Sequence, residues 1–178
     1  DPQVVALGET GLDNYWDFAP IELQKDYFDR HLRLSQERDL PIIIHSRQAD
    51  DDLLPMLREA RERGPIRGVI HAFSTNRAVA AECVELGLHI SFAGSVTYLN
   101  KKFETLWDAA TVVPDDRLLV ETDSPYMTPH PLRGRQKRNE PHLVAHVVRR
   151  LAELRGTDEA TIARITTQNA ANLFSLEF

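Results

Sequence analysis

Residues 41–57 read PIIIHSRQADDDLLPML, and the change of pattern inside this stretch decides the fold. Pro41 to Ile44 is a short continuous apolar run ending on His45, as expected of a strand covered on both faces. Leu53, Leu54, Leu57 and Ala60 then take up helical spacing, and Gly64-Pro65 stops the helix. The same unit recurs along the chain. VVALGE at 4–9 precedes a helix from Pro20 to Arg38, whose periodic apolar face is read as Leu23, Tyr27, His31 and Leu34. GVIH at 68–71 leads to a helix over Arg77 to Leu86 with Gly87 as its C-terminal cap. LHISF at 88–92 is followed by a helix near Lys101 to Ala110, and RLLVETD at 117–123 by a polar loop and helices over Pro141 to Arg155 and Asp158 to Phe174.

Five strand-then-helix units with unbroken apolar strands predict an α/β fold with a parallel sheet. An open doubly wound sheet would satisfy five units. Strand starts are spaced by about 28 residues, however, and three further units would bring the 178 residues to roughly 260, close to a (β/α)₈ barrel of about 250. The expectation is therefore a TIM-type barrel with five of its eight units present, forming one domain over residues 1–178. The chain opens on Asp1-Pro2 without an initiator Met and reaches an apolar run by Val4, which reads as the middle of a longer protein.

At 42% hydrophobic and 27% charged residues, the composition is that of a soluble globular domain with one core. No apolar run is long enough for a membrane span, and the sequence points to no obligate protein partner. The single cysteine, Cys83, lies in a helical segment and reads as a small buried apolar residue; with no internal disulfide possible and no signal peptide visible, the cytoplasm is the expected compartment. A net charge of −6 argues against broad phosphate-neutralising contacts with nucleic acid. It leaves room for a nuclease whose carboxylates recruit cations that then meet the phosphate.

Four of the five strands end in metal-ligand chemistry: Glu9 with Asp13, then His45, His71, and Asp123 with Glu121 two residues before it. In a parallel barrel the strand C-termini share one rim, so these residues converge there. Histidines mixed with carboxylates suit Zn²⁺, Mn²⁺ or Mg²⁺, and a carboxylate bridging two ions about 3.5–4 Å apart serves hydrolysis. Strand alternation places Glu121 and Asp123 on one side, with Asp123 nearer the rim as the expected ligand. Asp13 is expected to fix the turn after the first strand. Trp16 and Trp107 are expected to pack, and His31, His89, His130, His142 and His146 receive no catalytic role.

The blocks GETGLD (8–13), IIIHSR (42–47), VIHAFS (69–74), SFAGSVTY (91–98), LLVETDSPYMTPHP (118–131), RNEP (138–141) and NAANLF (169–174) together resemble the TatD family of metal-dependent deoxyribonucleases. The resemblance runs from about Val4 to Phe174 with every block in order. It implies an amidohydrolase-like (β/α)₈ barrel with two divalent ions, and a nuclease cleaving DNA phosphodiester bonds, by family a 3'-5' exonuclease acting on single strands or 3' ends. Family roles fall on Glu9 as the bridging carboxylate, on His45 and His71 as ligands of one ion, and on Asp123 as ligand of the other and general base. Substrate contacts are expected from Arg47, Tyr126, Arg138 and Asn139, with Arg133 in the same basic loop. Arg47 would meet a phosphate or pair with a rim carboxylate, and the ring of Tyr126 would stack on a base or pack the loop.

The chain also departs from the family. It has no His-x-His pair, so one of the two metal sites is expected to be incomplete. HAFST stands where HCFSG-like residues are usual, which touches Ala72 and Thr75 but not His71, and RGRQKRNEP is longer than the compact form. Two other functions suit these residues: a metal-dependent hydrolase of another ester, lactone or amide, and a non-catalytic remnant that binds a partner.

Overall fold

The computed structural model describes residues 3–177. Five parallel strands pair in sequence order, β1 (Leu7–Asp13), β2 (Ile42–Arg47), β3 (Gly68–Ile70), β4 (Leu88–Phe92) and β5 (Leu118–Val120). Between them run α1 (Ile21–Arg38), α2 (Asp50–Arg63), α3 (Arg77–Glu85) and α4 (Glu104–Val112), and α5 (Val144–Arg155) and α6 (Glu159–Phe174) follow the last strand. Strictly sequential parallel order is that of consecutive barrel units and not of a doubly wound sheet, whose order reverses at a switch point. Among the described residues β1 and β5 are the open edges.

The period-2 alternation of the strands creates two layers. Ile42, Ile44, Ile70, Leu88, Ile90, Phe92 and Leu118 point to one face and form the main core with Phe28, Leu53, Leu57, Val147 and Leu151 of the helices. Ile43, Val69 and Leu119 point to the other face, against Leu173 and Phe174 at the end of α6. Two residues on from each of these lie His45, His71 and Glu121. The functional side chains therefore continue the inner layer at the strands' C-terminal ends.

Local signals place the helices. Asn76 caps α3, its Oδ1 accepting from the backbone N–H groups of Ala78 and Val79, and Asp158 caps α6 by accepting from Thr161. Cys83 is fully buried, and burial pushes its thiol up to about 12, as its reading as an apolar filler requires. No helix among the described residues is long and apolar enough to cross a membrane.

Three expectations need correction. The first strand starts later than VVALGE suggested and runs through the GETGLD block, because its pairing with β2 slips between Leu7 and Thr10 and resumes with Thr10 opposite Ile44 and Gly11 opposite His45. The last strand stops at Val120, and Asp123 has φ +56°, so simple alternation does not relate Glu121 to Asp123. On α1 the buried face is Phe28, Leu32 and Ser35, whereas Leu23, Tyr27 and Leu34 are exposed. Both sets have helical spacing and are offset by about one residue, so periodicity alone does not choose between them.

Candidate metal centre

Glu9 of β1, His45 in the C-terminal half of β2 and His71 just past β3 meet in one cluster. Glu9 Oε1 lies 3.0 Å from His45 Nδ1 and 3.0 Å from His71 Nε2, and the two ring nitrogens are 3.2 Å apart. Their donor atoms all fall within 4.8 Å of one another, a spacing that suits a shared cation. Gly11 makes the approach of β1 to β2 possible: at φ +144° it lies so close to His45 that a Cβ would overlap the His45 carbonyl.

Each imidazole is held from behind. His45 Nε2 is 2.9 Å from Asp13 Oδ2, and His71 Nδ1 is 3.2 Å from Glu121 Oε1. Glu121 is itself fixed, accepting from the Ala72 backbone N–H at 2.9 Å and from the Ser91 hydroxyl at 2.5 Å. Carboxylates of this kind set the tautomer and orientation of metal-binding imidazoles. Two imidazole nitrogens and a carboxylate oxygen, each imidazole backed by an acid, are a donor set that fits Zn²⁺ or Mn²⁺. Burial pushes His71 down, but Glu121, Glu9 and Asp123 outweigh it and leave the group above its usual value of 6.5.

Asp123 lies past the end of β5, outside the three-residue cluster but within its electrostatic reach. Burial pushes its carboxyl up; His71 pulls it back, Glu121 and Glu9 push it further, and it ends above the ordinary carboxylate value.

Residues 1–175 match the family described as TatD related DNase. The chain belongs to the TatD family. It is 43% identical over 174 residues to the uncharacterized metal-dependent hydrolase YabD of Bacillus subtilis, covering 98% of this chain and 66% of that protein. To the 3'-5' ssDNA/RNA exonuclease TatD of Escherichia fergusonii it is 35% identical, over 99% of this chain and 68% of that one. The structure of the TatD homolog YJJV from Escherichia coli superposes with a TM-score of 0.87 at 35% identity, covering 98% of this chain and 65% of the other. The chain thus spans about two thirds of the length of these relatives.

The TatD-like blocks divide into those that face the centre and those that build it. Asn139 of RNEP, expected to touch substrate, is only 1% exposed. Its Nδ2 donates to the Thr122 and Tyr126 carbonyls at 2.7 and 2.6 Å and its Oδ1 accepts from the Glu140 N–H, so its amide is committed to clamping the loop that carries Asp123. Asn169 of NAANLF likewise ties α6 to the Asp115 and Leu118 carbonyls. Arg138 is exposed, and Tyr126 is 71% exposed. Arg133 lies over the Tyr98 ring at 3.8 Å.

Asp13 does more than fix its turn. Its Oδ1 accepts from Tyr15 and Trp16 N–H while its Oδ2 orients His45, and these bonds together with His45 hold its carboxyl low against the upward push of burial. Glu121 was legible as an acid near the rim but not as the partner of His71. Among the described residues Arg47 pairs with no rim carboxylate; its guanidinium lies 3.8 Å from the centre of the Tyr15 ring. Trp107 packs partly buried against the core as expected, whereas Trp16 is 48% exposed and is not a core residue.

Proposed function

We infer that the protein is a divalent-metal-dependent phosphodiesterase that removes nucleotides from single-stranded DNA, working from the 3' end. The observation that carries this reading is the convergence of Glu9, His45 and His71, with Asp13 and Glu121 behind the two imidazoles. Mg²⁺, Mn²⁺ or Zn²⁺ bound there would supply Lewis-acid activation of a phosphoryl group and of water. A second ion would rest on Glu9 and Asp123 within this chain.

The protein's own contributions follow from position. Glu9, 53% exposed at the side chain, presents its carboxylate between the two imidazoles and toward solvent. Asp123, just past the end of β5 and beside the cluster, is assigned to take the proton of the attacking water. Exposed Arg138 and Tyr126 of the loop after β5, with Arg47 at the end of β2, supply phosphate and base contacts that a neutral ester or lactone would not need. The 3'-5' direction and the single-stranded substrate are supported by relatives that carry the name 3'-5' ssDNA/RNA exonuclease. The chain acts as one domain, and its single buried cysteine suits the cytoplasm.

The test is release of nucleotides from 3'- and 5'-labelled single strands with Mg²⁺ or Mn²⁺. The reading expects release from the 3' end, stopped by EDTA and by His71→Ala. Release that persists in EDTA, or that His71→Ala leaves intact, contradicts it.

A further inference from the structure

The loop between β1 and α1 carries three aromatic rings that the metal chemistry does not use. Trp16 stacks nearly parallel on Phe18, with centroids 5.5 Å apart at 15°, and Tyr15 meets Trp16 edge-on at 4.9 Å. All three are exposed, Phe18 by 86%. The Arg47 guanidinium lies over Tyr15 at 3.8 Å and 5.6 Å from the Trp16 ring, and among the described residues it pairs with no carboxylate. A cluster of open rings with a cation laid across it is costly to keep in water and is typical of a binding surface.

Its place is fixed relative to the metal centre. Asp13 Oδ1 accepts from the Tyr15 and Trp16 N–H groups at 2.8 and 2.9 Å, while Oδ2 of the same carboxylate holds His45. The Asn14 N–H donates to the Arg47 carbonyl at 2.9 Å, and its side chain reaches the Gln48 carbonyl and Asp52. One acid thus spans the short distance from a cation ligand to the aromatic loop.

We propose that Tyr15, Trp16, Phe18 and Arg47 form a stacking platform for a base of single-stranded nucleic acid, tied to the metal centre through Asp13. The proposal rests on the nuclease reading above and names the surface that would hold its substrate. Every base has a π-face, so the platform grips a strand with little sequence preference. Arg47, already against the Tyr15 ring, can stack while directing N–H groups to the phosphate of the same nucleotide.

Trp16 reports on this directly, because Trp107 is the only other tryptophan. In a Trp107→Phe background, the emission of Trp16 is followed as phosphorothioate-linked oligo-dT, which resists cleavage, is added beside an abasic strand of equal length. The platform predicts quenching by oligo-dT and about tenfold or weaker binding of the abasic strand, the size of one base-on-ring stack. Read by anisotropy of end-labelled strands, because these variants lack Trp16 emission, Trp16→Ala with Phe18→Ala should abolish that preference, and Trp16→Phe, which keeps a ring, should restore most of it. If oligo-dT binds but leaves Trp16 emission unchanged and the abasic strand binds equally well, the platform is wrong while the nuclease stands. If Trp16 is already shielded from acrylamide without nucleic acid, other protein covers it and the platform is wrong. If neither strand binds and no nucleotide is released with Mg²⁺ or Mn²⁺, the nuclease reading fails and takes the platform with it.

Discussion

Glu121 Oε1 stands 3.2 Å from His71 Nδ1 while Glu9 Oε1 stands 3.0 Å from Nε2 of the same ring. One imidazole is therefore gripped between two acids in different settings: Glu9 belongs to the candidate cation cluster, and Glu121 faces the protein, held by Ser91 and the Ala72 N–H.

Glu121→Gln keeps the shape and removes the charge behind His71. The expected result is a loss of divalent-ion affinity of about 10–100-fold by titration calorimetry, with the fold retained. An unchanged affinity would reduce Glu121 to a tie for the loop.

Gly11→Ala tests the backbone contact that brings Glu9 to His45. A Cβ there meets the His45 carbonyl at a φ of +144°, which L-residues rarely adopt. A loss of about 2 kcal/mol or more is expected in urea unfolding, from strain and overlap together.

The strand-to-helix rhythm and the convergence of Glu9, His45 and His71 were legible in the sequence because each depends on short-range pattern. An apolar run ending on His45, and a second ending on His71, point to a rim whatever the surrounding packing. Less was visible where long-range contacts decide. The face of α1 could not be chosen, since Leu23, Tyr27 and Leu34 share helical spacing with Phe28 and Leu32, and only the sheet selects the latter. Asn139 looked like a substrate contact because a rim asparagine in a basic loop carries no sign of burial. Glu121 looked like a weaker ligand than Asp123, because its partners, Ser91 and His71, lie 30 and 50 residues away.

Asn139→Ala should therefore act through stability. It strips hydrogen bonds from the Thr122 and Tyr126 carbonyls inside the loop, and the expected cost is about 2–4 kcal/mol by thermal or chemical unfolding. A stable variant with weakened nucleic-acid binding would return Asn139 to the substrate.

Asp29 gives a pH signature away from the site. Burial pushes its carboxyl up, but Arg33 on the same helix and Arg63 on α2 outweigh that and hold it below its usual 3.8. A lowered folded value means that the contribution is fully present above the unfolded value and is lost as pH falls through the folded one. Wild type should exceed Asp29→Asn by about 1 kcal/mol or less at neutral pH, the range for pairs this accessible, and the gap should shrink with added salt and close as pH falls from 3.8 through the lowered folded value. Melting curves of both proteins across that window check it.

The central claim is that Glu9, His45 and His71 jointly hold a divalent cation. Mn²⁺ binding by electron paramagnetic resonance tests it most directly, with wild type beside His45→Ala and His71→Ala. Bound Mn²⁺ is expected in the wild type, with a loss of at least about tenfold in affinity in either variant. Equal Mn²⁺ affinity in all three proteins would contradict it.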